Sequence, residues 1–213
     1  MNSKAKKEQS YGLIEARTAY ILLGLCLTLG FLISCSQDKT SSKPSNEQTR
    51  TTGIQTQPLS LDDHTTYEKI LAKDSLNTDA RLKLAAYYYL NKDYNKALYH
   101  FLIVHTIDKN NMAALFNLGN INYDLEQNEE AIPYYEKFLA KDKSNYNVRC
   151  DLATCYIRLN KYDKAINLLK ENIQANYNHL QSHFNLSYAL KQSGKITEAN
   201  EEMNVYQKLK SKQ

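Results

Sequence analysis

Apolar and polar positions recur along this chain with a period of 34 residues. Stepping by 34 from Leu118 lands on Leu84, Leu152 and Leu186, and the same step from Ala131 lands on Ala97, Ala165 and Ala199. Four gapless copies tile Thr78 to Gln213, with bounds 78–111, 112–145, 146–179 and 180–213. Within the second copy, Leu115, Leu118, Ile121 and Leu125 follow the spacing of one helical face, and Ile132, Tyr135, Phe138 and Leu139 follow that of another. The polar stretch Glu126–Glu129 between them has the length that makes two helices antiparallel neighbours. Helices that approach within about 8–10 Å need a small side chain at the crossing. Gly119 meets that need in the first helix and Ala131 in the second, with Ala85, Ala153 and Ser187 equivalent to Gly119. The pattern predicts a stack of antiparallel helix pairs, each unit burying its apolar face against the next.

The repeat resembles the tetratricopeptide repeat, whose 34-residue unit carries Leu-Gly, an aromatic, Ala and a second aromatic at set places. Leu118-Gly119, Tyr123, Ala131 and Tyr135 carry the resemblance in the second copy, and Leu84-Ala85, Tyr88, Tyr94, Ala97 and Phe101 in the first. The third copy contributes Leu152-Ala153, Tyr156, Tyr162, Ala165 and Leu169, and the fourth Leu186-Ser187, Gly194, Ala199 and Met203. Two family features are missing: the tryptophan, and the terminal proline, which is replaced by Lys109, Lys143 and Tyr177. The resemblance implies an all-α fold, a right-handed superhelical solenoid of antiparallel helix pairs, and a scaffold that binds a protein or peptide.

In that family the first helices line a concave groove. Carried over by position, the groove residues here are Leu82, Ala86, Tyr89 and Leu90, then Phe116, Asn120, Tyr123 and Asp124. Cys150, Thr154, Ile157 and Arg158 follow in the third copy, and Phe184, Tyr188, Lys191 and Gln192 in the fourth. Tyr89, Phe116, Asn120, Tyr123, Ile157, Arg158, Phe184 and Tyr188 are the candidate partner contacts. Their rings supply apolar area and Asn120 supplies a hydrogen-bonding amide. The lysine of the family's carboxylate clamp is replaced by Leu82 and Phe116.

Ahead of the array the pattern changes. Lys4, Lys6, Lys7 and Arg17 precede an apolar run from Ala19 to Ile33. The run is shorter than the roughly 20 residues a membrane-crossing helix needs, and a basic start before a short apolar core is an export signal. Leu32-Ile33-Ser34-Cys35, followed by polar Ser36-Gln37-Asp38-Lys39, is similar to the bacterial lipobox. That resemblance implies removal of residues 1–34 and diacylglycerol on the Cys35 thiol. Acyl chains would then anchor the protein, each buried CH₂ contributing about 0.8 kcal/mol. Ser36, rather than Asp, follows the cysteine, which by the same resemblance favours the outer membrane in a double-membraned cell. A signal-anchored form without lipid is the alternative.

Residues 35–58 form a Ser-, Thr-, Gln- and Asn-rich tether with Ile54 as its one large apolar residue. Such a stretch cannot bury enough surface to order itself, and a coil of this length reaches on the order of 25 Å. Residues 59–77 read as one further helix, a half repeat capping the array, with Ser60 and Asp63 as its start signal and Tyr67, Ile70 and Leu71 inward. At the far end Ala199, Met203, Tyr206 and Leu209 can face inward, so the last helix is expected to cap itself.

Composition adds exclusions. The chain has 213 residues, 17 Tyr and no Trp. Residues 1–34 hold four of its 27 basic and two of its 23 acidic side chains, so the remainder carries about +2 with the signs mixed. That is no electrostatic footprint for nucleic acid. Cys150 and Cys155 sit roughly 140° apart on one helix, too divergent to bridge, and read as packed free thiols. His179 and His183 have the i, i+4 spacing of metal ligands, but no carboxylate or cysteine completes a set nearby, so they read as surface histidines. No nucleophile elbow, phosphate loop or metal set emerges, and no cofactor is implied. The expected function is a lipid-anchored, non-catalytic scaffold for a protein or peptide partner in the bacterial cell envelope. A self-associating structural module, hence a homo-oligomer, is the second reading.

Overall fold

In the computed structural model the described residues are 64–212, so the signal, Cys35, the tether and residues 59–63 lie outside them. All the regular structure described is helical. A leading helix, α1 (His64–Lys73), is followed by four pairs: α2 (Thr78–Leu90) with α3 (Tyr94–Ile107), and α4 (Met112–Asp124) with α5 (Asn128–Lys141). The third and fourth pairs are α6 (Tyr146–Arg158) with α7 (Tyr162–Ala175), and α8 (Leu180–Gln192) with α9 (Ile196–Lys210).

The first helices of the pairs start 34 residues apart, and so do the second helices. The same interval governs how they begin and end. Asn77, Asn111 and Asn145 precede α2, α4 and α6, and each side-chain oxygen accepts from the backbone N–H three residues on, at 3.0, 3.0 and 3.1 Å. These amides satisfy donors that the first helical turn leaves unpaired. His179 takes that place before α8 without a side-chain cap. Each first helix ends on a left-handed residue: Lys92 (φ 60°), Glu126 (φ 60°), Asn160 (φ 56°) and Gly194 (φ 81°). The next residue's N–H reaches back to the carbonyl five earlier, as from Asp93 to Tyr88 (2.9 Å) and from Gln127 to Asn122 (2.8 Å). This is the Schellman ending, which closes the helix and reverses the chain in three residues.

Every helix packs on the next in sequence, and the first helices of successive pairs also touch (α2–α4, α4–α6, α6–α8). The second helices α3, α5, α7 and α9 do not approach one another as closely. First helices therefore line the inner side of a curved stack and second helices fan out on the outer side. The core follows the repeated positions: Leu84, Leu118, Leu152 and Leu186 are buried, as are Ala97, Ala131, Ala165 and Ala199. Within the α4–α5 pair, Gly119 lets the Tyr135 ring lie directly on the helix backbone. Pro133 occupies the exposed outer side of α5, and the helix continues through it.

The end helices are less covered than the interior ones. α1 has no buried residue: Tyr67 and Leu71 are half-buried and Ile70 is exposed, so the leading helix lies on α2 without sealing it. At the other end Ala199 is buried, but Met203, Tyr206 and Leu209 stay half-buried.

Candidate functional site

The inner face is built from four first helices, and their curvature decides which positions stay open. In the middle of the stack each first helix is covered by the next. The Asn185 amide of α8 donates to Thr154 Oγ1 (2.9 Å) and approaches Cys150 Sγ (3.3 Å) on α6. Arg158 of α6 lies with its guanidinium carbon 4.1 Å from the centre of the Tyr123 ring on α4. One of its N–H groups donates to the Tyr123 carbonyl (3.1 Å) and to Asn128 Oδ1 (3.3 Å).

Four expected groove contacts are consequently packing residues. Phe116 is 8% exposed, its ring 5.6 Å from that of Phe138, and Tyr123 and Ile157 are also buried. Asn120 is fully buried; its Oδ1 accepts from the Tyr135 hydroxyl (2.9 Å), while its Nδ2 has no hydrogen-bond partner. The physical reason is that the following first helix lies across these positions. Cys150 and Thr154 are buried in the same way.

The remaining expected contacts stay accessible, and they flank the covered centre. Tyr89 is half-buried, its hydroxyl donating to Asp124 Oδ2 (2.9 Å), beside Leu90 at 59% exposure. Arg158 is half-buried. On α8, Phe184 and Tyr188 are half-buried, with Lys191 and Gln192 exposed one turn on. Phe184 and Tyr206 form a ring pair at 5.3 Å, one full repeat-register equivalent of Phe116 and Phe138 two pairs earlier. The inner pair is covered and the outer pair is not. What the face offers is apolar ring area with amide, carboxylate and guanidinium groups at its edge, which suits peptide recognition.

A second set of residues was not visible in the sequence. The fourth residue of three first helices clasps the loop before it. Arg81 donates through Nε and one terminal nitrogen to the Ser75 carbonyl (3.1 and 2.6 Å). Arg149 donates to the Lys143 carbonyl and to Asn172 Oδ1 (2.9 Å). His183 contacts the Tyr177 carbonyl through Nε2 (2.7 Å) and Glu202 Oε2 through Nδ1 (2.6 Å). Each grips the carbonyl six residues earlier, at the position where the family's tryptophan is missing. His183 is thus 1% exposed and not a surface histidine. His179 also has both ring nitrogens engaged, with Ser182 Oγ (2.7 Å) and Asn147 Oδ1 (2.9 Å).

The electrostatics around these residues are those of packing. Burial and the Arg81 guanidinium push His100 down to about 4, against the opposing pull of Glu68. Burial, with the Glu136 hydrogen bond and charge adding to it, pushes the Tyr156 hydroxyl up to about 12. Cys150 and Cys155 are both buried. Among the described residues no group of three or more His, Cys, Asp or Glu side chains is placed to hold a metal ion.

Comparison with known proteins agrees with this architecture. Residues 122–183 match the family model for the tetratricopeptide repeat. Several solved structures of MamA superpose on the array. That of MamA from strain MSR-1 is 19% identical, with 70% of this chain and 86% of that chain covered and a TM-score of 0.66. A crystal structure of MamA is 21% identical, covering 70% and 81%, with a TM-score of 0.66. MamA from Desulfovibrio magneticus RS-1, from residue 41 to its end, is 16% identical, covering 71% and 97%, with a TM-score of 0.63. The fold is an all-α tetratricopeptide-repeat superhelix.

Proposed function

We propose that this tetratricopeptide-repeat array is a non-catalytic scaffold that binds a protein or peptide partner along its inner face, tethered to the bacterial envelope through lipid on Cys35. The observation that carries the binding half is the interrupted inner face. Rings and amides at the centre are locked into packing, while equivalent groups on α2 and α8 are left accessible with charged residues beside them. No further first helix among the described residues lies across α8, so its ring area is left for a partner segment to cover. An extended or helical segment laid across α8 would bury Phe184 and Tyr188 and meet Lys191 and Gln192 at its edge. The half-buried Arg158 and the pair Tyr89–Asp124 extend the same face towards α2.

The anchoring half rests on the sequence before the array: a basic start, a short apolar core and Ser34-Cys35 at its end. Intact mass of the protein purified from its own cells tests this half. The expected result is loss of residues 1–34 with added acyl mass, absent in Cys35→Ala. An unprocessed, lipid-free chain would remove the anchor and leave the scaffold reading to stand alone. For the binding half, envelope extract passed over immobilised wild-type and Tyr188→Ala/Lys191→Ala arrays should show a species retained by the first and lost from the second. Equal retention on both would count against the inner face.

A further inference from the structure

We propose that the outer groove between α5 and α7, floored by α6, is a second docking site, which takes a partner-protein segment carrying aliphatic side chains flanked by carboxylates. Because the second helices fan apart, each gap between successive pairs has to be filled by side chains. In the gap between the first two pairs, His105 and Tyr134 meet edge to face at 5.6 Å. In the gap between the last two, His183 pairs with Glu202 and its ring meets Tyr177 at 5.2 Å. The middle gap has Leu139 and Leu168 where the first has His105 and Tyr134, 34 residues earlier. Two leucines do not span it, and a groove of about 640 Å³ remains. That volume lies within the roughly 300–1,000 Å³ of ligand-binding clefts.

The chemistry of the groove selects its occupant. Leu139, Leu152, Leu168 and the Tyr156 ring make an apolar floor, and the lining runs two turns along each flanking second helix. At about 1.5 Å per residue this is roughly 10 Å of length, room for a short segment laid lengthwise. At the rim Glu136 accepts from the Tyr156 hydroxyl (2.7 Å), and Glu171 lies 4.0 Å from Arg149. Lys164 stands over the Tyr156 ring at 5.2 Å, and Lys143 has no ion-pair partner among the described residues. Along the groove the cations outnumber the acids, Lys143, Arg149 and Lys164 against Glu136 and Glu171, so carboxylates on the occupant meet a net positive edge. A second copy of this chain would bring the same net positive edge to the groove, so the charge favours a different, acidic partner.

The repeat itself supplies the test. Leu168→Tyr places in the middle gap the ring that Tyr134 already places in the first, and fills the groove without a new backbone arrangement. The probe is the blocked peptide Ac-Glu-Leu-Leu-Glu-NH₂, titrated into the full array with methyl-resolved NMR, against Ac-Lys-Leu-Leu-Lys-NH₂. Saturable shifts of the Leu139, Leu152 and Leu168 methyls are expected with the acidic peptide, about tenfold weaker or absent with the basic one. Leu168→Tyr should abolish the Leu139 and Leu152 shifts. Lys143→Glu/Lys164→Glu, which leaves the floor intact, should weaken them at least about fivefold. Absence of saturation, or shifts that survive both variants, would overturn the site. Shifts confined to Ile157 and other inner-face methyls would also overturn it, while leaving the inner-face scaffold reading untouched.

Discussion

Gly119→Ala sets helix propensity against packing, and the structure decides which wins. Gly119 is the eighth residue of α4, and alanine there would improve the helix by about 1 kcal/mol if nothing else changed. A Cβ at this position, however, would stand 2.5 Å from Tyr135 Cε1 and 2.6 Å from Cδ1. The ring cannot retreat freely. Tyr135 is fully buried, and its hydroxyl is bonded to Asn120, which is fully buried as well. Inserting a methyl into a filled core costs about 1–3 kcal/mol, so the net expectation is a loss of up to about 2 kcal/mol. The third pair shows the resolution: Ala153 faces Leu169 at the equivalent positions, both buried. Gly119→Ala made in a Tyr135→Leu background should therefore cost nothing or stabilise slightly. Urea unfolding followed by far-ultraviolet circular dichroism, run as a double-mutant cycle, measures the coupling. Gly119→Ala stabilising the wild-type array, or costing the same in both backgrounds, would refute the close approach.

Three further outcomes follow from the same geometry. Lys92→Gly should raise stability by about 0.5 kcal/mol, because relief of a left-handed backbone worth about 1–2 kcal/mol outweighs the entropy glycine adds to the unfolded chain; a lower urea midpoint would contradict it. Arg149→Leu should cost about 1–3 kcal/mol, since it leaves Asn172 Oδ1 buried without its donor, and Arg149→Lys should not rescue it because the two acceptors are met by separate nitrogens of the planar guanidinium, a fork that a compact ammonium does not reproduce. His100 stays neutral in the folded array down to about 4, whereas it titrates near 6.5 when unfolded. The unfolded chain then binds more protons between these values, so stability is full above pH 6.5 and falls as pH drops towards 4. Discounted for partial exposure, the loss is about 1–2 kcal/mol. Burial acts in the same direction on His105 and His179. His100→Gln should flatten the urea midpoint between pH 7 and 5, and an unchanged slope would contradict the assignment.

The fold was legible because the period-34 leucines and alanines are the side chains that meet at each helix crossing, and the structure buries all eight. The capping asparagines and the left-handed turn residues repeat at the same interval, but only the backbone shows what they do. Much less of the inner face was legible. Position within a repeat says that Phe116 and Phe184 are equivalent; it does not say that α6 lies over the first and that the second stays half-open. That depends on the curvature of the whole stack. The loop clasps were hidden for a related reason. Arg81, Arg149 and His183 occupy one repeat position with dissimilar letters, and their common acceptor is a backbone carbonyl, which no side-chain pattern records. His183 looked like a surface residue because Glu202, its partner, is 19 positions away on the neighbouring helix. The outer groove was invisible because it arises from what Leu139 and Leu168 fail to fill.

The central claim is that the accessible part of the inner face holds a protein partner in the cell. A photo-crosslinking amino acid at position 188, introduced into the chromosomal copy, tests it directly, with position 129 on the exposed start of α5 as the control. The account predicts a discrete protein adduct from position 188, absent from position 129 and reduced by Lys191→Ala. No adduct at 188, or the same adducts from both positions, would contradict it.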